Sequence, residues 1–162
     1  MANPNYNLAE EKAIGILEKY DIKEPIVPIF QIAQEEGITL KFINMPQELQ
    51  DVAGFFDPKK KIIFVNKEDA PNRQTFTIAH ELGHYILGHE PNEYGVLPRI
   101  PNLVETNPKE KEANCFAANL LVPAKMLKEI IKKYNLKPDA ALLAEIFGVS
   151  EEVMKYRLKW IG

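Results

Sequence analysis

One cysteine, Cys115, is all that the 162 residues contain. An intramolecular disulfide and an all-cysteine zinc site are both excluded, which suits a reducing compartment. Long hydrophobic runs are missing too: no stretch approaches the ~20 apolar residues that span a bilayer. The opening Met1-Ala2-Asn3-Pro4-Asn5-Tyr6 lacks the charged-then-apolar order of a secretion signal. The expected location is therefore the cytoplasm, without membrane contact. Charge of one sign is not in large excess either. The formal net charge is −3, so no direct nucleic-acid binding is expected. Repeats, low-complexity tracts and linkers are absent. With 46% hydrophobic and 27% charged residues, the chain reads as one ordinary folded domain spanning 1–162.

Histidine is scarce as well, yet all three, His80, His84 and His89, fall close together. The segment His80-Glu81-Leu82-Gly83-His84 matches the H-E-x-x-H pattern. On a helix, residues four apart share a face about 6 Å apart along the axis, so two imidazoles can close on one metal ion. Glu81 sits beside them. Its carboxylate is placed to take a proton from a water that zinc has acidified to a pKa of about 7. Gly83 costs about 1 kcal/mol relative to Ala in a helix interior, which suggests that another element passes close to it.

A catalytic zinc site needs a third protein ligand. His89 follows His84 by five positions rather than the six of the metzincin pattern, and it fails on that spacing. A carboxylate on the next helix fits better, and Glu110 stands out. Asn114, four residues on, shares its face and can orient a ligand imidazole by a hydrogen bond. Glu112 lies two positions from Glu110 and is expected on the opposite side of that helix. Glu110 also has a structural reading. With Asn107 as N-cap it occupies the third helical position, where a glutamate completes a capping box. Tyr94, Tyr85 and His89 are each candidates for the donor that stabilises an oxyanion.

Hydrophobic spacing places these residues on elements. A helix is expected over 8–19 with Leu8, Ala13, Ile16 and Leu17 inward, and a short second one around Ile29, Ile32 and Ala33 ends at Gly37. Strands are expected at 38–43, 52–56 and 61–65, the last two joined across Asp57-Pro58-Lys59-Lys60. Asp69 is a candidate cap for a helix that holds H-E-x-x-H and stops before Gly88. The proline-rich stretch from Glu90 to Asn107 reads as a loop and lid. Helices follow from Asn107, from Pro123 to Tyr134, from Pro138 to Phe147 and from Ser150 to Trp160. Cys115 reads as a small buried thiol.

Two separated segments carry a resemblance. His80-Glu81-Leu82-Gly83-His84 is followed by Glu110-Lys111-Glu112-Ala113-Asn114-Cys115-Phe116-Ala117-Ala118 and by Leu120-Leu121-Val122-Pro123. Upstream stand Val65-Asn66 and Arg73-Gln74-Thr75-Phe76-Thr77-Ile78-Ala79. Together they resemble the ImmA/IrrE family of metallopeptidases over about residues 50–160. The resemblance implies an α+β, zincin-like domain with a small, mostly antiparallel three-stranded sheet and about six helices. It also implies a Zn2+ site at His80, His84 and Glu110 with Glu81 as general base, and a helix-turn-helix repressor as protein substrate. The sequence lacks the extra C-terminal domain of radiation-response members, so the smaller mobile-element type is the nearer analogue.

The stretch 138–161 has the outline of a helix-turn-helix, which invites a DNA-binding reading. Glu151 and Glu152 open its second helix, where phosphates would have to sit, so a packed helix pair is favoured. Peptide hydrolysis is the expected activity, with substrate extended along a sheet edge near 52–56. The competing expectation is a non-catalytic module, stapled by zinc, that binds a repressor or DNA.

Overall fold

The computed structural model describes residues 2–98, 106–135, 137 and 139–161. Residues 99–105 of the expected loop and Pro138 at the expected start of the sixth helix lie outside the described residues. The fold is α+β, as the sequence leads one to expect. Its helices are α1 (Tyr6–Lys19), α2 (Ile29–Glu35), α3 (Pro71–Ile86), α4 (Pro108–Leu121), α5 (Ala124–Lys133), α6 (Ala140–Phe147) and α7 (Glu151–Ile161). Its strands are β1 (Thr39–Ile43), β2 (Val52–Asp57), β3 (Ile62–Asn66) and β4 (Leu97–Pro98).

The three expected strands form one sheet, and β4 extends it in the order β1-β3-β2-β4. β2 and β3 pair antiparallel as a hairpin. The turn is held by Asp57, whose Oδ1 accepts from the backbone N–H groups of Lys59 and Lys60 at 3.0 and 3.2 Å. β1 instead runs parallel to β3, with Thr39 opposite Ile62 and Ile43 opposite Asn66. β4 falls inside the stretch expected to be loop. Two residues ending in a proline leave no alternation to read, and the strand exists only through its pairing with Val52 and Gly54. That pairing covers β2 on the side expected to receive substrate, so the outer edge there belongs to β4.

Two close contacts fix α3 on the sheet. Gly54 has no room for a side chain: an added Cβ would lie 2.4 Å from Thr77 Cγ2 and 2.5 Å from the Phe64 carbonyl oxygen. Gln74 Nε2 donates to the carbonyl of Asn66 at 3.1 Å, while Asn66 Nδ2 donates to that of Val52, also at 3.1 Å. Val65-Asn66 and Arg73-Gln74 therefore stand together in sequence because they join a strand end to the first turn of α3. The cap differs from expectation. Ala70, not Asp69, is the N-cap; its methyl side chain offers no acceptor, so α3 starts without a side-chain cap and with Pro71 at its first position.

α4 lies between α1 and α3 and buries Ala113, Phe116, Ala117 and Leu120, all 0% exposed. Phe116 explains Gly83: a Cβ there would fall 2.9 Å from Phe116 Cδ1, so the glycine lets α3 and α4 approach. The expected cap of α4 is present, with Asn107 Oδ1 accepting from the Lys109 N–H at 2.8 Å. At the far end, α6 closes on Gly148 in the left-handed conformation (φ 68°), and Ser150 Oγ accepts from the Val153 N–H at 3.2 Å to start α7. Arg157 of α7 donates through Nε to the Val122 carbonyl at 2.9 Å, tying α7 to the end of α4. Among the described residues no helix is long and apolar enough to cross a membrane.

Candidate metal centre

The inward face of α3 is polar where a helix core is normally apolar. His80 and His84 are fully buried and Glu81 is 1% exposed, and both imidazoles meet α4. There Glu110 presents its carboxylate, 2.9 Å from His84 Nε2 and 3.4 Å from His80 Nε2. The two Nε2 atoms are 3.1 Å apart. His80, His84 and Glu110 each offer one ligand atom, and these atoms lie within 4.8 Å of one another. Glu110 thus turns to the histidines rather than completing a capping box, and Asn107 caps α4 without it.

The partners of the opposite ring nitrogens define which atoms face inward. Asn114 Oδ1, an acceptor, lies 2.9 Å from His80 Nδ1, so Nδ1 carries the proton and Nε2 presents its lone pair. His89 Nε2 meets Glu112 Oε1 at 3.3 Å and must donate to that carboxylate. Burial lowers the pKa of His89, more than Glu112 raises it, and keeps the ring neutral. Its Nδ1 is then an acceptor. His84 Nδ1, 2.8 Å away, is the donor, and His84 Nε2 likewise presents a lone pair. Two imidazole lone pairs and a carboxylate converge, and Glu110 Oε1 is buried without a hydrogen bond despite its 2.9 Å approach to His84 Nε2. Mutually repelling donors of this kind fit a cation between them.

Titration follows the same geometry. Burial works against ionising Glu110, but His80 and His84 outweigh it and bring its carboxyl down to about 2. Burial, with His80 nearby, lowers His84 to about 4, although Glu110 opposes this. Burial also disfavours a charged His80, yet Glu110, Glu81 and Asn114 together raise its pKa. Glu81 is pushed up to about 8, chiefly by burial and further by Glu110, with His80 acting the other way. Neither of its oxygens has a hydrogen-bond partner. A buried carboxylate left so bare adds nothing to packing.

The three candidate donors for an oxyanion are placed differently. Tyr94 stacks its ring on His84, with centroids 3.5 Å apart and planes 5° from parallel. Its hydroxyl is pushed up to about 12 by burial and by the charges of Glu81, Glu110 and Glu90, so it stays protonated. Tyr85 packs edge-on against Phe56 at 5.6 Å, under the Lys61 ammonium. His89 lies behind His84, and both its ring nitrogens are already paired. Glu112 was missed as a member of this cluster. Its position two residues from Glu110 does turn it to another flank of α4, but His89 waits there. The signal that would have found it is Gly88, which ends α3 and folds the next residue back. Cys115 is buried, as expected, and burial raises its thiol pKa.

Known proteins resemble this chain. The radiation response metalloprotease IrrE of Deinococcus deserti is 32% identical over 117 residues, which cover 68% of this chain and 38% of that protein. The metallopeptidase ImmA of Bacillus subtilis is 36% identical over 89 residues, 55% of this chain and 51% of that one. The chain therefore spans about half or less of the length of these two curated relatives. A solved Mycobacterium tuberculosis transcriptional regulator shares the fold at a TM-score of 0.65 and 19% identity, covering 94% of this chain and 46% of its own. The profile of the IrrE N-terminal-like domain family matches residues 33–159, which takes in β1 to α7 and every residue of the metal cluster. By that match the chain belongs to the IrrE N-terminal-like domain family.

Proposed function

We propose that this chain is a cytoplasmic zinc peptidase that cleaves a regulatory protein, with helix-turn-helix repressors as the substrate class. His80, His84 and Glu110 would hold the ion, a two-histidine, one-glutamate set typical of catalytic rather than structural zinc. The observation that carries the reading is Glu81, a buried carboxylate beside the trio with both oxygens free of protein hydrogen bonds. Zinc bound there supplies Lewis-acid polarisation of a carbonyl and acidification of a water.

The chain's own residues do the rest. Glu81 takes the proton of the attacking water and passes it to the departing amine; its raised pKa of about 8 suits the second of these transfers. Tyr94, held protonated and flat against His84, donates to the oxyanion that forms on the carbonyl. Asn114 holds His80 in the tautomer that directs Nε2 inward. The outer edge of β4, which begins three residues after Tyr94, offers main-chain groups for an extended peptide. The resemblance to ImmA and IrrE, and a fold shared with a transcriptional regulator, support a regulatory substrate. We take residues 1–162 as one domain, because α1, outside the family match, packs on α4.

The test is incubation with helix-turn-helix repressors encoded by neighbouring genes, with and without chelator. Cleavage that disappears on chelation and in Glu81→Gln, with zinc still bound in the variant, supports the reading. Proteolysis retained by Glu81→Gln refutes the assigned base. No cleavage of any partner, combined with salt-sensitive DNA binding, would favour a non-catalytic module.

A further inference from the structure

His89 and Glu112 are not needed to hold a metal or to move a proton, yet both side chains are largely covered and they line up behind His84. α3 ends in a Schellman motif. Gly88 adopts φ +71°, its N–H donates to the Tyr85 carbonyl at 3.1 Å, and the His89 N–H donates to the His84 carbonyl at 3.0 Å. That motif folds the backbone of His89 onto His84 itself. The side chains repeat the connection, with the two Nδ1 atoms 2.8 Å apart. Beyond His89 stands Glu112, 3.3 Å from Nε2 and 6% exposed, with the Lys109 ammonium 3.7 Å from the same carboxylate oxygen.

We infer that Glu112 and His89 form a relay that orients His84 as a metal ligand, with His89 as an imidazole spacer between carboxylate and ligand. Ligand histidines commonly donate their outer N–H straight to a carboxylate or carbonyl. His84 cannot, because Glu112 lies one ring too far away. The donor directions follow from Glu112, which only accepts. His89 Nε2–H points to it, His89 Nδ1 accepts from His84 Nδ1–H, and His84 Nε2 is left as a lone pair on the cluster side. Glu112 thereby sets the tautomer of a ring it does not touch. Its negative charge also makes His89 Nδ1 the better acceptor, which strengthens the hydrogen bond from His84 Nδ1–H and makes His84 Nε2 the better metal donor. One helix would therefore control both histidines and supply the carboxylate: α4 reaches His80 through Asn114, His84 through His89, and the ion itself through Glu110.

The two residues are positioning residues, and the inference rests on the reading that His80, His84 and Glu110 bind zinc. The experiment is a zinc affinity measurement by competition with a chromophoric chelator on the full chain, combined with long-range 1H–15N spectra of the histidine rings. His89→Ala and Glu112→Gln should each weaken zinc by about 10–100-fold. The double variant should be no weaker than His89→Ala alone, because the two act in series. His89→Gln, whose amide can accept from His84 and donate to Glu112, should recover most of the lost affinity. In the starting protein the His84 spectrum should show a protonated Nδ1 and a metal-bound Nε2. Unchanged affinity in Glu112→Gln, additive losses in the double variant, or a His84 ring bound through Nδ1 would each overturn the relay. If His89→Ala does not fold, Glu112→Gln and His89→Gln still decide. Zinc bound through the relay without cleavage of any protein would sink only the peptidase reading, and cleavage with affinity indifferent to both residues would sink only the relay.

Discussion

α3 and α7 both carry a recognisable signature, one H-E-x-x-H and the other the second helix of a helix-turn-helix outline, and both bury polar side chains. They bury them to different ends. On α7, Arg157 gives its Nε–H to the carbonyl of Val122 and closes the end of α4. Its Nη2 is also buried without a partner, so an unpaired atom alone does not mark a site. On α3 the histidine lone pairs and the Glu110 carboxylate converge on one point, with a bare Glu81 alongside. Scattered buried polarity ties elements together, whereas converging acceptors wait for a cation.

If convergence distinguishes α3, removing one donor should matter most. Glu110→Ala leaves two histidines, and zinc affinity should fall by more than the roughly 10–100-fold expected for an outer partner. Calorimetric titration checks it, and a smaller loss would mean that Glu110 is not a ligand. Arg157→Ala should give the converse: about 1–3 kcal/mol less stability by denaturant unfolding, since the Val122 carbonyl is left buried, with zinc affinity unchanged. A drop in zinc affinity there would join the two regions that we separate. Gly83→Ala brings a methyl onto Phe116. Overpacking of about 1–3 kcal/mol should exceed the ~1 kcal/mol gained in helix propensity, and Phe116→Leu should relieve it.

The smallest effect is a pH slope in protein stripped by chelator. His84, lowered to about 4, and Glu110, lowered to about 2, contribute stability that is fully gained once pH exceeds their unfolded values. Glu81 is raised to about 8, so above its unfolded value the native state keeps a proton that the unfolded chain has lost. His80 is raised as well. Between about pH 6.5 and 8.5 the melting temperature should therefore fall as pH rises, and excess zinc should remove the slope. A rising melting temperature in chelator would contradict the protonation of Glu81.

The sequence revealed these regions unequally. Helical spacing set His80 and His84 on one face beside Glu81, and Glu110 and Asn114 on one face of α4, but it left Glu110 open between ligand and capping box, a choice that only the family resemblance made. Gly83 signalled a close neighbour but not which one, since Phe116 reaches it only through tertiary packing. Glu112 was hidden because its partner comes from a turn after α3, and offsets within α4 say nothing about that turn. β4 and the parallel pairing of β1 were hidden for a related reason: both depend on where distant segments arrive, not on their own residues. Asp69 looked like a cap by type, yet the N-cap falls one residue later, at Ala70, which has no side-chain acceptor to offer.

Gly54 and Gly83 have no room for a side chain, and through them α3 meets the sheet at Thr77 and α4 at Phe116. The cluster is therefore split between helices that meet only when both contacts have formed. A slip of one residue along α4, about 1.5 Å, would displace Glu110, Asn114 and Glu112 together. A chain still being made, or one that has lost the packing of Phe116, holds His80 and His84 but lacks the carboxylate that completes the trio. The complete trio is thus conditional on a finished fold: a cation would meet all three donors only after α3 and α4 have docked.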